Sequence, residues 1–271
     1  AADAVKWQNE NIFLLGDAAH QMPPFMGQGM NSGCRDAENL LWKINGVLNG
    51  LYSPKILRTY ESERKPHVAR ITRGAIKMGG IINAKSKLKA FIRNTLLRIQ
   101  GFYKGKKNIF PVLNGNRLGI GIHKMPKIKN ISIERYYFNE INVRLHDGRI
   151  LSTDNILGKN FGIILNNFDG NNNISGNNLE LLNRHNFKII NITSSFDHSN
   201  YEDYITCEET HTDMRIYCEK FKCNGVILRP DKYIFDLFKF DSCDSLEIII
   251  NNVLSNIRDK IEFNWNTVVK E

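Results

Sequence analysis

Apolar positions along the chain fall into two patterns, short continuous runs and longer stretches repeating every three or four residues. Asn11 to Leu15 is a short apolar, partly aromatic run that ends at Gly16, which predicts a buried strand. After a turn rich in Pro and Gly, Ala37, Leu40, Leu41, Ile44 and Leu48 recur at the spacing of one helical face. That helix is expected to start near Met30 to Ser32 and to be capped by Gly50. Pro54 suits the first turn of a second helix, whose face carries Leu57, Tyr60, Arg64, Val68, Ile71, Ala75 and Met78 until Gly79-Gly80 interrupts it. Lys85 to Ile99 predicts a basic amphipathic helix, and Gly101 to Pro126 reads as loop.

The second half changes character. Ile141 to Leu145 alternates, His146-Asp147-Gly148 turns, and Phe161 to Leu165, Phe187 to Ile192 and Gly225 to Leu228 predict strands. Leu179 to His185 and Ser245 to Ile261 predict helices. Strands alternating with helices over this span predict a small α/β domain. Charge divides at the same place: residues 1–129 carry a net +15 and residues 130–271 a net −6, within a chain total of +9. Opposite signs suggest two domains, drawn here as 1–125 and 126–271.

Composition narrows the classes further. With 42% hydrophobic residues in 271, the chain can bury a sizeable core, which argues against disorder. No apolar run approaches the roughly 18 residues of a membrane span. The five cysteines form no C-x-x-C pair, and Cys207, His211, Cys218 and Cys223 match no common zinc spacing, so no metal ligands are assigned. An odd cysteine count without an even framework favours a reducing, cytoplasmic setting. From Arg64 to Lys107 thirteen basic residues occur with no acidic one. Without aromatic interleaving or a zinc or RNP-like motif, that run reads as a solvated or partner-facing helix side, and nucleic acid is disfavoured as a partner.

The chemistry concentrates in Gly16 to Asn31, GDAAHQMPPFMGQGMN. Gly16 allows a tight turn at a strand end, and Asp17 stands where open α/β sheets place ligands, an acid suited to the hydroxyls of a polyol. Pro23-Pro24 stiffens the next turn. Gly27 and Gly29 leave the backbone N–H groups of a helix start unshielded, an anion-binding nest. A ligand with polyol and anionic character fits that pattern, as does a plain loop capping a helix.

The full string NIFLLGDAAHQMPPFMGQGMNSGCRDAENLLWKI (Asn11 to Ile44) resembles the second flavin fingerprint of the FAD-dependent aromatic monooxygenases, in their 3-(3-hydroxyphenyl)propionate and phenol hydroxylase branch. YESERKPHV (Tyr60 to Val68) continues the likeness, and HDGRILSTDNILGKNFGIIL (His146 to Leu165) and NGVILRPDKYIFD (Asn224 to Asp236) look like the family's thioredoxin-like carboxyl-terminal domain. The resemblance implies an α/β chain: the carboxyl part of an FAD domain, a strand plus long helices, then a thioredoxin-like α/β domain. It implies that Gly16, Asp17, Pro24, Gly27, Gly29, Met30 and Asn31 bind the cofactor: Asp17 hydrogen-bonds the ribityl chain of FAD, Pro24 lies along the isoalloxazine edge, and Gly29, Met30 and Asn31 present backbone N–H groups to the flavin N1 and O2 region. His20 and Gln21 fall inside the motif with no derived role, and Cys34 and Arg35 read as packing and surface residues.

The reaction so implied is hydroxylation of a phenolic aromatic small molecule, with O2 as co-substrate, NADPH or NADH as electron donor and a flavin hydroperoxide as oxygen carrier. No residue of the chain is assigned a catalytic role. No G-x-G-x-x-G occurs, so the ADP-cradling half is expected as a separate or lost amino-terminal part, and the 271 residues are expected to be inactive alone. The second domain, lacking C-x-x-C, is expected to serve structure or homodimer formation. The competing expectation is a non-catalytic basic module that docks on an acidic partner or on nucleic acid.

Overall fold

A computed structural model describes residues 1–84, 86–104, 137–169, 174–194, 204–211, 213–241 and 243–258. The chain divides into two compact units: Ala1–Asn39 with Tyr60–Gly119, and Leu40–Thr59 with Ile120–Glu271.

In the first unit the strands are short. β1 (Ala2–Asp3) pairs antiparallel with β4 (His20–Gln21), and β2 (Gln8–Asn9) with β3 (Ile12–Phe13). The run Asn11 to Leu15 is therefore not a buried strand: only two of its residues pair, and Ile12 is 68% exposed. Single-turn 3-10 helices at Gly16–Ala18 and Phe25–Gly27 lead into α1 (Gln28–Leu48). α1 begins two residues earlier than its apolar spacing suggests, so Gly29 lies inside the first turn rather than before it.

A 3-10 turn at Pro54–Arg58, capped by the Ser53 side chain, precedes α2 (Thr59–Ile82). α2 runs through Gly79-Gly80 instead of breaking there. The reason for a glycine at 79 is close packing: a Cβ at that position would stand 2.3 Å from the Phe25 ring. α3 (Lys87–Lys104) follows; the remainder of the expected loop from residue 105 to 126 lies outside the described residues. Leu88, Phe91, Ile92, Leu96 and Ile99 of α3 are all exposed. No helix among the described residues is long and apolar enough to cross a membrane.

The second unit is built on one mixed seven-stranded sheet. Its strands are β5 (Asn142–Arg144), β6 (Ile150–Ser152), β7 (Phe161–Asn166), β8 (Phe187–Thr193), β9 (Ile205–Glu209), β10 (Gly225–Leu228) and β11 (Ile234–Phe238). They lie in the order β11-β10-β7-β8-β9-β5-β6, with β7, β8 and β9 parallel and the flanking pairs antiparallel. Parallel strands are buried on both faces, which is why β7 reads as a continuous apolar run. Alternate residues sort between the faces. Phe161, Ile163 and Leu165 meet α5 (Gly176–Arg184), α7 (Leu246–Arg258) and the segment around Trp42, Tyr52 and Ile56. Ile164, Ile190 and Val226 face α4 (Thr153–Leu157) and α6 (Asp213–Phe221). The expected strands over 141–145, 161–165, 187–192 and 225–228 thus form. β6, β9, α4 and α6 are too short or too polar for periodicity to reveal. The last three residues of the expected closing helix, 259–261, lie outside the described residues.

Arg229 of the NGVILRPDKYIFD segment is 1% exposed and pairs through its guanidinium with Asp231 at 2.6 and 2.9 Å. This pair closes the β10–β11 turn, where Lys232 takes a φ of +61°. The motif is a structural device in this unit.

Candidate functional site

Gly16 adopts a φ of +54°, which an L side chain resists, and its backbone rests directly on α1. A Cβ on Gly33 would lie 3.3 Å from the Gly16 Cα. Two glycines therefore let the turn after β3 touch α1, and Asp17 follows immediately with an exposed carboxylate. The other end of the loop is built similarly. Pro24 holds φ −67° and accepts from the Gly27 N–H at 3.4 Å, and Gly27 takes φ +62°.

α1 then presents its first turn to solvent. Met30 and Asn31 are exposed and Gly29 is half-buried, with no atom within 4 Å of where its Cβ would be. First-turn N–H groups have no intrahelical acceptor, and this turn contains no acidic residue. Asn31 turns its side-chain amide back onto the Gly27 carbonyl at 3.3 Å. All seven expected residues thus line one loop and one helix start within the first unit. Their chemistry fits the FAD isoalloxazine and ribityl groups: N–H donors and a positive helix end for the electron-rich side of the ring, and a carboxylate acceptor for hydroxyls.

Beneath this loop lies an ionic cluster that periodicity does not show. Asp36, on the second turn of α1 past Gly29, is fully buried. It accepts from the Gly16 N–H at 3.1 Å, from His20 Nε2 at 2.7 Å and from Arg64 Nε at 2.8 Å. Burial works against its charge, but these donors and the Arg64 guanidinium together hold its pKa below the ordinary carboxylate value. Arg64 also donates to the Ser32 carbonyl at 3.3 Å and to His67 Nδ1. His67, enclosed and surrounded by Arg64, Arg70 and Arg35, is pushed down to about 2 and is neutral. Asn39 donates to the buried Glu63 at 2.7 Å. His20 stacks on Trp7 with ring centroids 5.1 Å apart.

Arg64 therefore belongs neither to an apolar face nor to a solvated basic run; it is fully buried and bonded to Asp36 across two helices. His20, without a derived role in the sequence, anchors the same carboxylate. The available signal was a buried-face position occupied by Arg in a helix otherwise apolar at that spacing. Cys34 is exposed.

Site and sheet give a glycine-rich loop with a helix start and an exposed carboxylate in one unit and a mixed α/β domain in the other. Comparison with known proteins bears on both. Residues 2–75 match the model of an FAD binding domain, and residues 136–247 that of the HcaD C-terminal domain. A 3-(3-hydroxy-phenyl)propionate/3-hydroxycinnamic acid hydroxylase from Burkholderia cenocepacia is 28% identical over 230 residues, covering 82% of this chain and 42% of that protein. A probable NADH-specific resorcinol 4-hydroxylase from Rhodococcus jostii is 43% identical over 112 residues, 41% of this chain and 21% of that protein. The chain therefore spans less than half the length of these relatives. Among solved structures, aklavinone-11 hydroxylase with FAD and aklavinone superposes with a TM-score of 0.60 at 16% identity, over 96% of this chain and 45% of that one. The rebeccamycin biosynthetic enzyme RebC with reduced flavin gives 0.59 at 17%, over 94% and 46%; at these identities the likeness speaks to fold alone. The chain is thus similar in sequence to an FAD binding domain and, over different parts of its length, to bacterial aromatic hydroxylases.

Proposed function

We propose that residues 1–125 supply one wall of the flavin site of an aromatic-ring hydroxylase that uses NADPH or NADH and O2 on a phenolic substrate. Residues 126–271 form a thioredoxin-like domain with a structural or self-association role. The observation that carries the reading is the Gly16 turn clamped onto α1, with the exposed Asp17 next in sequence and an exposed helix start free of acidic residues at the far end of the same loop. Asp17 would hold ribityl hydroxyls, and the first-turn N–H groups of Gly29, Met30 and Asn31 would hold the electron-rich edge of the ring. Pro24 would lie along that edge as a rigid wall, offering no N–H of its own. Bound FAD supplies the oxygen-activating redox chemistry. The buried Asp36–Arg64 pair positions the loop and touches no reactant.

The thioredoxin-like assignment rests on the β7-α5-β8 and β10-β11-α7 connections and on the strand order β11-β10-β7-β8. The matched relatives carry more than twice the chain length that these residues cover, and no G-x-G-x-x-G is present to cradle pyrophosphate. Alone, the 271 residues therefore hold FAD weakly and do not turn over.

The test has two arms. The purified chain is titrated with FAD by flavin fluorescence, and it is also co-expressed with the amino-terminal part of the Burkholderia relative and assayed for NAD(P)H-dependent oxygen uptake with 3-hydroxyphenyl substrates. The expected result is weak flavin binding alone, stoichiometric flavin with uptake on complementation, and loss of that flavin in Asp17→Ala. Stoichiometric flavin and NAD(P)H consumption by the 271 residues alone would refute the inactivity. Flavin retention unchanged by Asp17→Ala would refute the site.

A further inference from the structure

We propose that Cys218 and Cys223 form a paired-thiol site that closes to an intramolecular disulfide when the folded chain meets a hydroperoxide. α6 ends at Phe221, Lys222 takes a φ of +52°, and the Cys223 N–H donates to the Cys218 carbonyl at 3.1 Å. This is the six-to-one closure of a helix end, in which the side chain two residues past the last helical one meets the side chain of the final turn. Five residues of separation hide the pair from any C-x-x-C search, yet the backbone bond makes the two neighbours in space. Both lie in one core cluster, with Cys218 6% and Cys223 8% exposed.

The thiols hydrogen-bond to each other. Cys218, as donor, is held above the ordinary thiol range, and Cys223, as acceptor, is drawn below it. Attack by either thiol gives the same disulfide; with Cys223 as the nucleophile, Cys218 is the resolving thiol. The remaining core cysteine is engaged elsewhere: Cys207 Sγ reaches the Asn191 carbonyl at 3.6 Å, and burial pushes its thiol up to about 12. Cys34 and Cys243 are exposed.

The chemistry balances with the hydroperoxide as oxidant. Cys223 sulfur attacks the terminal peroxide oxygen, the O–O bond breaks, and an alcohol or water leaves with the thiol proton, giving a sulfenic acid. Cys218 sulfur then attacks the Cys223 sulfur, the S–O bond breaks, and water leaves as the S–S bond forms. Two thiols lose two electrons and the peroxide gains them. Cys218 sits in the last turn of α6, where the carbonyl end of the helix disfavours a thiolate, so the reduced pair gains no stabilisation from that helix and the disulfide resists re-reduction. None of this depends on the flavin reading.

The experiment treats the folded, reduced chain with hydrogen peroxide, blocks remaining thiols with iodoacetamide, then denatures and digests with trypsin. Cleavage after Lys220 and Lys222 separates the two cysteines, and the Arg229–Pro230 bond resists trypsin, so a disulfide holds the peptides Ile216–Lys220 and Cys223–Lys232 together as one species lighter by two hydrogens. The expected result is that linked pair, abolished by dithiothreitol, formed equally in a Cys34→Ser/Cys243→Ser variant and formed faster in the folded chain than in urea. Recovery of both peptides as alkylated or free thiols after peroxide, of sulfinic Cys223 without linkage, or of linkage only in urea would each overturn the proposal.

Discussion

Replacing Asp36 with Asn removes one negative charge from a fully buried site while leaving its shape almost unchanged. The substitution strands Arg64, itself fully buried, and takes from His20 an acceptor 2.7 Å away. At about 4 Å and an effective dielectric near 20, one charge pair is worth about 4 kcal/mol. Breaking a buried pair by removing one partner costs roughly 3–5 kcal/mol, because the remaining charge stays desolvated. Against a typical stability of about 5–15 kcal/mol, that is a large fraction. The local effect is specific, since the Gly16 N–H bonds to the Asp36 carboxylate directly. Hydrogen exchange followed by mass spectrometry on peptides covering residues 14–24 should therefore show protection falling by about two decades, given roughly 1.4 kcal/mol per decade. Urea unfolding should show a loss of at least about 3 kcal/mol. Asp36→Leu combined with Arg64→Met should recover more than half of the loss seen with Asp36→Leu alone, because an apolar pair leaves no orphan charge. A loss under about 1 kcal/mol with unchanged protection at Gly16–Ala19 would show that Asp36 does not clamp the loop.

Three further substitutions have expected outcomes. His67 is neutral in the fold, with its pKa lowered from 6.5 to about 2, so the unfolded chain binds a proton that the folded one refuses between those values. Stability contributed by neutral His67 is complete above pH 6.5 and falls as pH drops, by up to about 1.4 kcal/mol per pH unit. His67→Gln should flatten urea-derived stability between pH 6.5 and 4.5, a range above the window where Asp36 titrates; an unchanged slope would assign the effect elsewhere, for example to His185, lowered to about 4. Gly79→Ala places a methyl 2.3 Å from the Phe25 ring and should destabilise by about 1–3 kcal/mol. Gly80→Ala, with nothing within 4 Å, should stabilise by roughly 0.5–1 kcal/mol through helix propensity. Thermal melts of the two variants that move in the same direction would contradict this packing.

The local motif was legible because its chemistry is covalently fixed. Glycines at 16, 27 and 29 and the Pro23-Pro24 pair constrain the backbone wherever they occur, and with Asp17 they are close enough in sequence to share one loop and one helix start. The parallel strands β7 and β8 were legible for a related reason, since burial on both faces demands unbroken apolar runs such as Phe161 to Leu165, whereas the more polar β9 was not. The packing was not legible. Gly79-Gly80 looks like a helix break in one dimension, and only the Phe25 ring explains why α2 continues past it. Arg64 has the spacing of a core residue and the charge of a surface one; a carboxylate 28 positions away decides the matter. Cys218 and Cys223 become neighbours only when Lys222 turns the chain left-handed at the end of α6. Sequence by itself determined which backbone shapes and ligand chemistries these residues permit, because dihedral limits and donor sets are properties of each residue and its immediate neighbours. Tertiary structure alone decided which charges are buried and which groups meet, because desolvation and close contact depend on parts of the chain that local spacing does not relate.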